Sequence, residues 1–418
     1  MPSMSTRRPP RLGRLVPPPG PVRSLALVTL VNTTGNGVFF TLSALYFTRI
    51  IGLSVAQVGL GLGIAAFVGL LAGVPVGHLA DRRGPREVMI LLLLVVTGLA
   101  LLLLFVTTFV QFVVVASALS FFDRGAGAVR GGLIAGLAAG AGRASTKAYL
   151  RSVTNVGMTI GTGIAALALH SDTATAYRAV LLLDVASYAV AALLMLRVPH
   201  VARRPASEAT SMFLALRDWP FVTVTLVGAV LAVHYQIIEV AMPLWVVGHT
   251  SAPKALVAAL MVVNTGVVIG FQVLVARRVT TPAMAVRASV LSGVLLLLSC
   301  VAFGASAGRA AAAAVVILVV AMSLQVLGEL WQAAGSFVLG FELAPDHAQG
   351  QYQGLYGMGM GISTMIGPPL VALLPLGLGV RGWWILGGLL LGAALLLKPA
   401  VAWCERTRDR YAEVVPIS

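Results

Sequence analysis

Charged residues are scarce in this sequence of 418 residues. Asp, Glu, Lys and Arg together make up 10% of it, whereas a soluble domain carries about 25%. Hydrophobic residues make up 58%, and the mean hydropathy is +0.95. A chain this apolar could not cover its surface with polar groups in water, so the sequence predicts a multi-pass protein of the lipid bilayer.

Acidic residues are about half as many as basic ones, and there are only two cysteines. The 14 Asp and Glu face 29 Lys and Arg, but the arginines lie in short connections between apolar runs, which indicates membrane topology and no nucleic-acid partner. Cys300 and Cys404 lie far apart and form no CxxC pair. Neither a disulfide framework nor a metal site is therefore expected, and no cofactor is predicted.

Twelve apolar runs are long enough to cross a bilayer. The predicted spans are residues 25–47, 55–76, 88–106, 111–135, 150–169, 179–196, 221–247, 256–276, 286–304, 310–339, 352–374 and 382–398. With the N-terminus inside, Lys and Arg concentrate in the inner connections, which include Arg143, Lys147 and, at the edge of the fifth span, Arg151. The outer connections hold only Arg49, Arg178, Lys254, Arg309 and Arg381. This bias predicts the cell membrane, with both termini in the cytoplasm.

The longest connection divides the chain into halves of six spans each. We predict an all-α membrane protein with a disordered cytoplasmic arm at 1–22 and a six-helix bundle at 23–197. A cytoplasmic loop at 198–218 leads to a second six-helix bundle at 219–400, and a cytoplasmic tail follows at 401–418.

The connection between the second and third spans, residues 77–86, reads GHLADRRGPR. Gly84 permits a sharp reversal of the backbone, and Gly77 lets another helix approach closely. The arginines offset the negative partial charge at the end of a helix. Asp81 is an acid near that negative end, so we expect it to need a cationic partner or the N-terminus of a facing helix.

This stretch resembles the loop signature of the major facilitator superfamily, Gly-x-x-x-Asp-Arg-x-Gly-Arg-Arg. The matching residues are Gly77, Asp81, Arg82, Gly84 and Arg86, and Pro85 stands where the family usually has Arg. The resemblance implies two six-helix bundles with a substrate site between them. It also implies that the matching residues form a gating loop, to which we add Arg130 as a possible partner of Asp81.

The fourth span contains three ionisable residues, which are costly in a bilayer and indicate function by default. Residues 123–130, DRGAGAVR, look like a shortened form of the family's fourth-helix motif, which is associated with proton coupling in antiporters. Arg124 is the residue carried over from that motif. Asp123 and Arg130 are seven residues apart and share a helix face. The alternative is that the three charges neutralise one another and lock helices together.

Acids also lie in later spans, at Asp184, Glu239 and Glu329. Gln325, Glu329, Gln332 and Ser336 form one stripe of the tenth span. Glu329 is the leading candidate for a proton-binding carboxylate, because a buried carboxyl binds a proton more readily near neutral pH. The alternative is a glutamate that only forms hydrogen bonds between helices.

Further polar residues in the spans predict a substrate cavity, with Glu239 as a second coupling acid. Tyr235 and Glu239 share a face of the seventh span, and Asn32 and Asn36 share a face of the first. The predicted cavity residues are Asn32, Asn36, Tyr235, Gln325, Gln332 and Tyr356. Residues 157–163 resemble the family's antiporter motif with Thr162 in place of its proline, and a packing role would explain them equally well.

These observations favour a monomeric transporter that binds a small molecule and protons. We expect proton-coupled export of a hydrophobic compound, such as a drug or secondary metabolite, by alternating access. Uptake or uniport of a small polar nutrient is the alternative, as is a sensor with the same fold that transports nothing. An enzyme is not predicted, because the sequence has no metal-ligand spacing and no nucleotide-binding loop.

Overall fold

The computed structural model describes residues 20–138, 140, 142–171, 173–201 and 211–412, and every regular element within these ranges is a helix. Eleven helices are long and apolar enough to cross a membrane, or 12 if one bent pair is a single span. This confirms the predicted all-α membrane fold.

We number the spans α1 to α12 in chain order. Their bounds are α1, Pro21–Leu45 with a π-helical end Tyr46–Ile50; α2, Val55–Leu70 and Gly73–Arg83; α3, Pro85–Leu103; α4, Phe109–Leu137; α5, Gly142–Ser171; α6, Ala174–Met195; α7, Trp219–Ala232, Ile237–Ala241 and Met242–His249; α8, Ala255–Ala276; α9, Pro282–Ala305; α10, Ala311–Glu342; α11, Gln349–Val371 with a π-helical end Ala372–Gly377; and α12, Val380–Thr407.

Several predicted boundaries fall inside helices or outside the described residues. Helix α1 begins at Pro21, within the range predicted as an N-terminal arm, and α12 continues beyond residue 400 to Thr407. A short helix, Leu214–Arg217, precedes α7 within the predicted central loop. Residues 1–19 of the predicted arm, 202–210 of the loop and 413–418 of the tail lie outside the described ranges.

Helix α2 consists of two pieces that are bent by 43° relative to each other. The break follows from Pro75, because proline has no backbone N–H to donate to the carbonyl of Leu71, four residues earlier. The first piece begins with a capping box, in which Ser54 and Gln57 satisfy each other's backbone N–H groups. The second piece ends at Gly84, whose φ of 96° permits the reversal into α3.

The side chains of the two halves form two separate hydrophobic cores. One consists mainly of residues from α1 to α6, including the fully buried Phe47 and Phe112. The other consists mainly of residues from α7 to α12, where Trp245 packs against Trp383 and donates its indole N–H to the Phe303 carbonyl at 2.9 Å. The predicted pair of six-helix bundles is thereby confirmed.

Asp218 fixes the start of the second half. Its carboxylate accepts a hydrogen bond from the backbone N–H of Phe221 at 3.1 Å and caps α7. The other carboxylate oxygen accepts a hydrogen bond from the Tyr352 hydroxyl of α11 at 2.7 Å. Burial raises the pKa of Asp218, which lies just before the membrane-spanning part of α7.

The halves meet closely at one end of the bundle, which we call the termini face because α1 begins and α12 ends there. A Cβ atom on Gly77 of α2 would contact the carbonyl oxygen of Gly350 in α11, and one on Gly354 would contact the carbonyl of Gly73. Such spacing lets two helices approach until their backbones touch. The predicted close approach at Gly77 is therefore present, and its partner is α11.

Asp81 joins this contact through the N-terminus of α11. One carboxylate oxygen accepts a hydrogen bond from the backbone N–H of Gly350 at 2.7 Å, and the other accepts one from Gln351 at 3.0 Å. Of the two partners expected for this acid, the structure shows the N-terminus of a facing helix. The suggested pairing of Asp81 with Arg130 is not the arrangement found, because Arg130 bonds to Asn32 instead, at 3.5 Å.

Further polar contacts join the halves at the termini face. Arg143 of α5 forms an ion pair with Asp346 at 3.1 Å. The His78 ring and the Gln351 side-chain amide are 2.8 Å apart. Arg86, another residue of the predicted gating loop, stays within the first half and donates to the carbonyl of Leu196 at the end of α6, at 2.7 Å.

Replacing Gly77 with Leu tests the close approach of α2 and α11. The new side chain meets the backbone of Gly350, so we expect the termini face to separate and the thermal stability in detergent to fall. A short cross-linker between cysteines at positions 143 and 346 measures the separation, and its yield should drop.

The matched control is Gly98→Leu in α3, where an added Cβ meets nothing within 4 Å. Full cross-linking in Gly77→Leu, equal to that of Gly98→Leu, would show that the glycine contact does not hold the halves together.

Candidate functional site

A cavity of ≈500 Å³ lies between the two halves. Helices α2, α4 and α5 of the first half and α7, α10 and α11 of the second contribute its walls. Arg124, Lys147, Gln332 and Tyr356 are among the polar residues that line it, and Phe337 is among the apolar ones. Its volume falls in the range of small-molecule sites, about 300–1,000 Å³.

An ion pair joins the halves beside this cavity. Arg151 of α5 donates from Nη2 to Glu329 Oε1 of α10 at 2.7 Å, and from Nη1 to the hydroxyl of Tyr235 at 2.6 Å. Arg151 is nine residues into α5, which corresponds to about 14 Å along the helix axis. The pair therefore lies deep in the bundle.

Glu329 is more deeply buried than its partner. Its side chain is 5% exposed, compared with 23% for Arg151, and its second oxygen accepts a hydrogen bond from Asn264 Nδ2 at 3.2 Å. Tyr235 in turn donates to Gln332 Oε1 at 3.3 Å. Every charge in this network has a partner, and removing either member of the ion pair leaves the other charge buried without compensation.

A second cavity of ≈260 Å³ lies on the other side of the ion pair. Its polar lining includes Arg151, Asn155, Glu239, Asn264 and Glu329. Glu239 accepts a hydrogen bond from Gln236 Nε2 at 3.3 Å. Arg151 lines both cavities, whereas Glu329 lines only the smaller one. The Arg151–Glu329 pair therefore separates a larger cavity from a smaller, more acidic one.

The predicted charges of α4 form a cluster inside the first half. Asp123 interacts electrostatically with both Arg130 and Arg124. Arg130 donates to Asn32 Oδ1 at 3.5 Å. This arrangement agrees with the alternative in which the charges neutralise one another, although Arg124 and Arg130 also line the larger cavity.

Asn36 belongs to the same region and accepts a hydrogen bond from the Tyr188 hydroxyl of α6 at 2.8 Å. Asp184 of α6 is 2% exposed. Asn32 and Asn36 thus hold α1 to its own half, and neither lines the larger or the smaller cavity described above.

Gln325 does not take the cavity position that we predicted for it. It is fully buried within the second half, where its Nε2 donates to the carbonyl of His234 at 3.0 Å and its Oε1 lies 3.4 Å from the Ser299 hydroxyl. Tyr356, by contrast, lines the larger cavity and donates to Ser336 at 3.1 Å.

Lys147 and Arg151 are the two functional candidates that our sequence analysis missed. We assigned both to a connection, but both lie within α5. Lys147 donates to Gln353 Oε1 at 3.0 Å and lies 5.1 Å from the ring centroid of Phe341. The spacing of positions 143, 147 and 151 was a usable signal, because residues four apart share a helix face.

Within the described ranges, no group of three or more His, Cys, Asp or Glu side chains could hold a metal ion. The chemistry that this site offers is proton binding at a carboxylate, charge compensation by arginine, and enclosure of a small molecule between apolar walls.

Comparisons with known proteins agree with this architecture. The family model described as Major Facilitator Superfamily matches residues 25–323. No curated protein matches the sequence.

Three solved structures are similar at identities that show the fold alone. The human organic anion transporter TETRAN has a TM-score of 0.70 and 16% identity, over 91% of this chain and 100% of that one. A bacterial homologue of the iron transporter ferroportin, in its outward-facing state, has a TM-score of 0.71 and 15% identity, over 92% of this chain and 99% of that one. The proton:xylose symporter XylE has a TM-score of 0.68 and 14% identity, over 91% of this chain and 95% of that one.

A double-mutant cycle on Arg151 and Glu329 tests whether the ion pair holds the halves together. We expect Arg151→Gln and Glu329→Gln each to lower the free energy of unfolding by about 3 kcal/mol, because each leaves a buried charge alone. The double variant should lose less than the sum, with a coupling of about 1–3 kcal/mol. Unfolding in mixed detergent micelles measures all four proteins.

The control cycle uses Arg143 and Asp346, whose aspartate side chain is 65% exposed. An exposed pair of this kind contributes at most about 1 kcal/mol. Equal coupling in the two cycles would contradict a special role for the buried pair.

Proposed function

The chain belongs to the major facilitator superfamily and is a secondary transporter, and we propose that it couples the movement of a hydrophobic small molecule to protons through Glu329 and Arg151. The observation that supports this proposal is the ion pair that crosses between the halves at the border of two cavities. In such folds, one half rocks against the other around a central site.

A proton on Glu329 changes the balance of this arrangement. It removes the charge that compensates Arg151, and the guanidinium then needs another partner. The bond between the halves weakens at the same time, since the attraction between two opposite charges is lost. Proton binding thus acts both on the larger cavity, which Arg151 lines, and on the contact between the halves.

The gating contact lies at the termini face in this proposal. Asp81 and the N-terminus of α11 close that face, and the glycines at positions 77 and 350 allow the close approach. We place the termini face in the cytoplasm, because Lys and Arg concentrate there, and we propose that the protein acts as a monomer in the cell membrane.

The direction of transport depends on whether the substrate and the proton bind at the same time or exclude each other. Export in exchange for protons is the direction that the family motifs predict. Uptake of substrate together with a proton is the second candidate. The observation that favours it is that Arg151 both pairs with Glu329 and lines the larger cavity. A proton on Glu329 frees Arg151 from this pair, so that Arg151 can bind a substrate in that cavity.

Proteoliposomes that contain a pH-sensitive dye test the coupling and its direction. Each compound of a panel of hydrophobic antibiotics and dyes is added outside, and the internal pH is recorded. We expect a transported compound to move protons, and Glu329→Gln to lower this proton movement at least tenfold while exchange of the labelled compound continues.

Asp409→Asn, at an exposed position just after α12, is the matched control and should behave like the unchanged protein. Transport of a compound without proton movement, or full proton movement in Glu329→Gln, would refute the proposed coupling.

A further inference from the structure

The larger cavity is lined by charges of one sign. Its charged residues are Arg124, Arg130, Lys147 and Arg151, and no Asp or Glu is among the described residues that line it. The smaller cavity is the opposite case, since two of the three charged residues in its lining, Glu239 and Glu329, are acids.

The four cations are only partly compensated by other groups. Arg151 is neutralised by Glu329. Asp123 interacts with both Arg124 and Arg130, so one carboxylate serves two guanidinium groups. Lys147 has neutral partners, the side-chain amide of Gln353 and the rings of Phe337 and Phe341. Positive charge therefore remains in excess around this space.

An excess of positive charge inside a membrane-spanning bundle is unfavourable unless an anion enters. Arginine presents a planar set of N–H donors that fits carboxylate, sulfonate or phosphate oxygens, and lysine adds a compact positive charge. The walls between the cations are apolar, with Leu70, Ile134, Leu150, Phe337 and Met358 among them. A ligand that satisfies both features has an anionic group on a hydrophobic body.

We propose that the larger cavity binds an amphipathic organic anion. Its acidic group lies among Arg124, Arg130 and Lys147, and its hydrophobic body lies against the apolar wall. The proposal deepens the function proposed above and rests on it only for the transport of the bound anion, since binding can be measured without any gradient.

The charge of the ligand also bears on the coupling. A proton on Glu329 leaves Arg151 without a counter-ion at the edge of the larger cavity. An anion in that cavity then compensates Arg151, so the proton and the anion favour each other's binding. Anion affinity should therefore be higher in Glu329→Gln, which removes the same negative charge permanently, than in the unchanged protein.

Four naphthalene compounds that differ in their charged group provide the test. Binding of 1-naphthoate, 1-naphthalenesulfonate, neutral 1-naphthamide and cationic 1-naphthylmethylammonium to the purified full-length protein is measured by calorimetry in a non-ionic detergent at constant ionic strength. We expect one or both anions to bind at least tenfold more tightly than the amide and the cation. A preference between the two anions identifies the acidic group.

Lys147→Gln and Arg124→Gln should each reduce anion affinity at least fivefold without changing affinity for the amide. The matched control is Arg381→Gln, which removes the same charge from an exposed position at the start of α12. If either cavity variant fails to fold, the comparison of the four naphthalene compounds on the unchanged protein still tests the proposal.

Equal or tighter binding of the amide or the cation would overturn the anion proposal, and so would the absence of binding by all four compounds. Anion binding without flux in proteoliposomes would refute transport and leave the anion site standing. Proton-linked flux of the cation would refute the anion site and leave proton-coupled transport standing.

Discussion

The ion pair between Arg151 and Glu329 is the interaction on which the proposed function depends. It joins α5 of the first half to α10 of the second at 2.7 Å, with the glutamate almost fully buried. Two charges in such a setting interact strongly, and separating them costs far more than it would at the surface. A proton is the smallest ligand that can cancel one of them. The pair therefore gives the halves a contact that a single chemical event can weaken.

The contact at the termini face complements the ion pair because it joins the halves through backbone atoms. Gly77 and Gly350 bring the backbones of α2 and α11 together, and the Asp81 carboxylate accepts two hydrogen bonds from backbone N–H groups in the first turn of α11. An anion at a helix N-terminus is favourable for the same reason that bound phosphate is. This contact is local and directional.

Much of this fold was readable from the sequence, because the bilayer imposes long apolar runs and restricts where charge can lie. The twelve spans and the two bundles were expected on these grounds, whereas the facing helix N-terminus was one of two partners expected for Asp81. Glu329 was found because its polar stripe stands out from an apolar helix. Arg151 and Lys147 were missed, because α5 begins with a polar segment that hydropathy assigns to a loop.

The remaining errors concern which helix faces which. Gln325 shares a stripe with Glu329, but at its depth α10 is covered by α7 and α9, so its amide bonds to His234 and not to a ligand. The spacing of polar residues shows which of them share a face of a helix, but it does not show which neighbouring helix covers that face at each depth. The same limit applies to Arg130, which donates a hydrogen bond to Asn32 and not to Asp81.

The most direct test of this account measures the distance between the halves by electron spin resonance. Spin labels at positions 197 and 277, both exposed at the termini face, report the separation in a protein whose two native cysteines are replaced by serine. We predict that Glu329→Gln adds a longer distance to the distribution, as Gly77→Leu should. An unchanged distribution in Glu329→Gln, beside a widened one in Gly77→Leu, would contradict the claim that the buried ion pair holds the halves together.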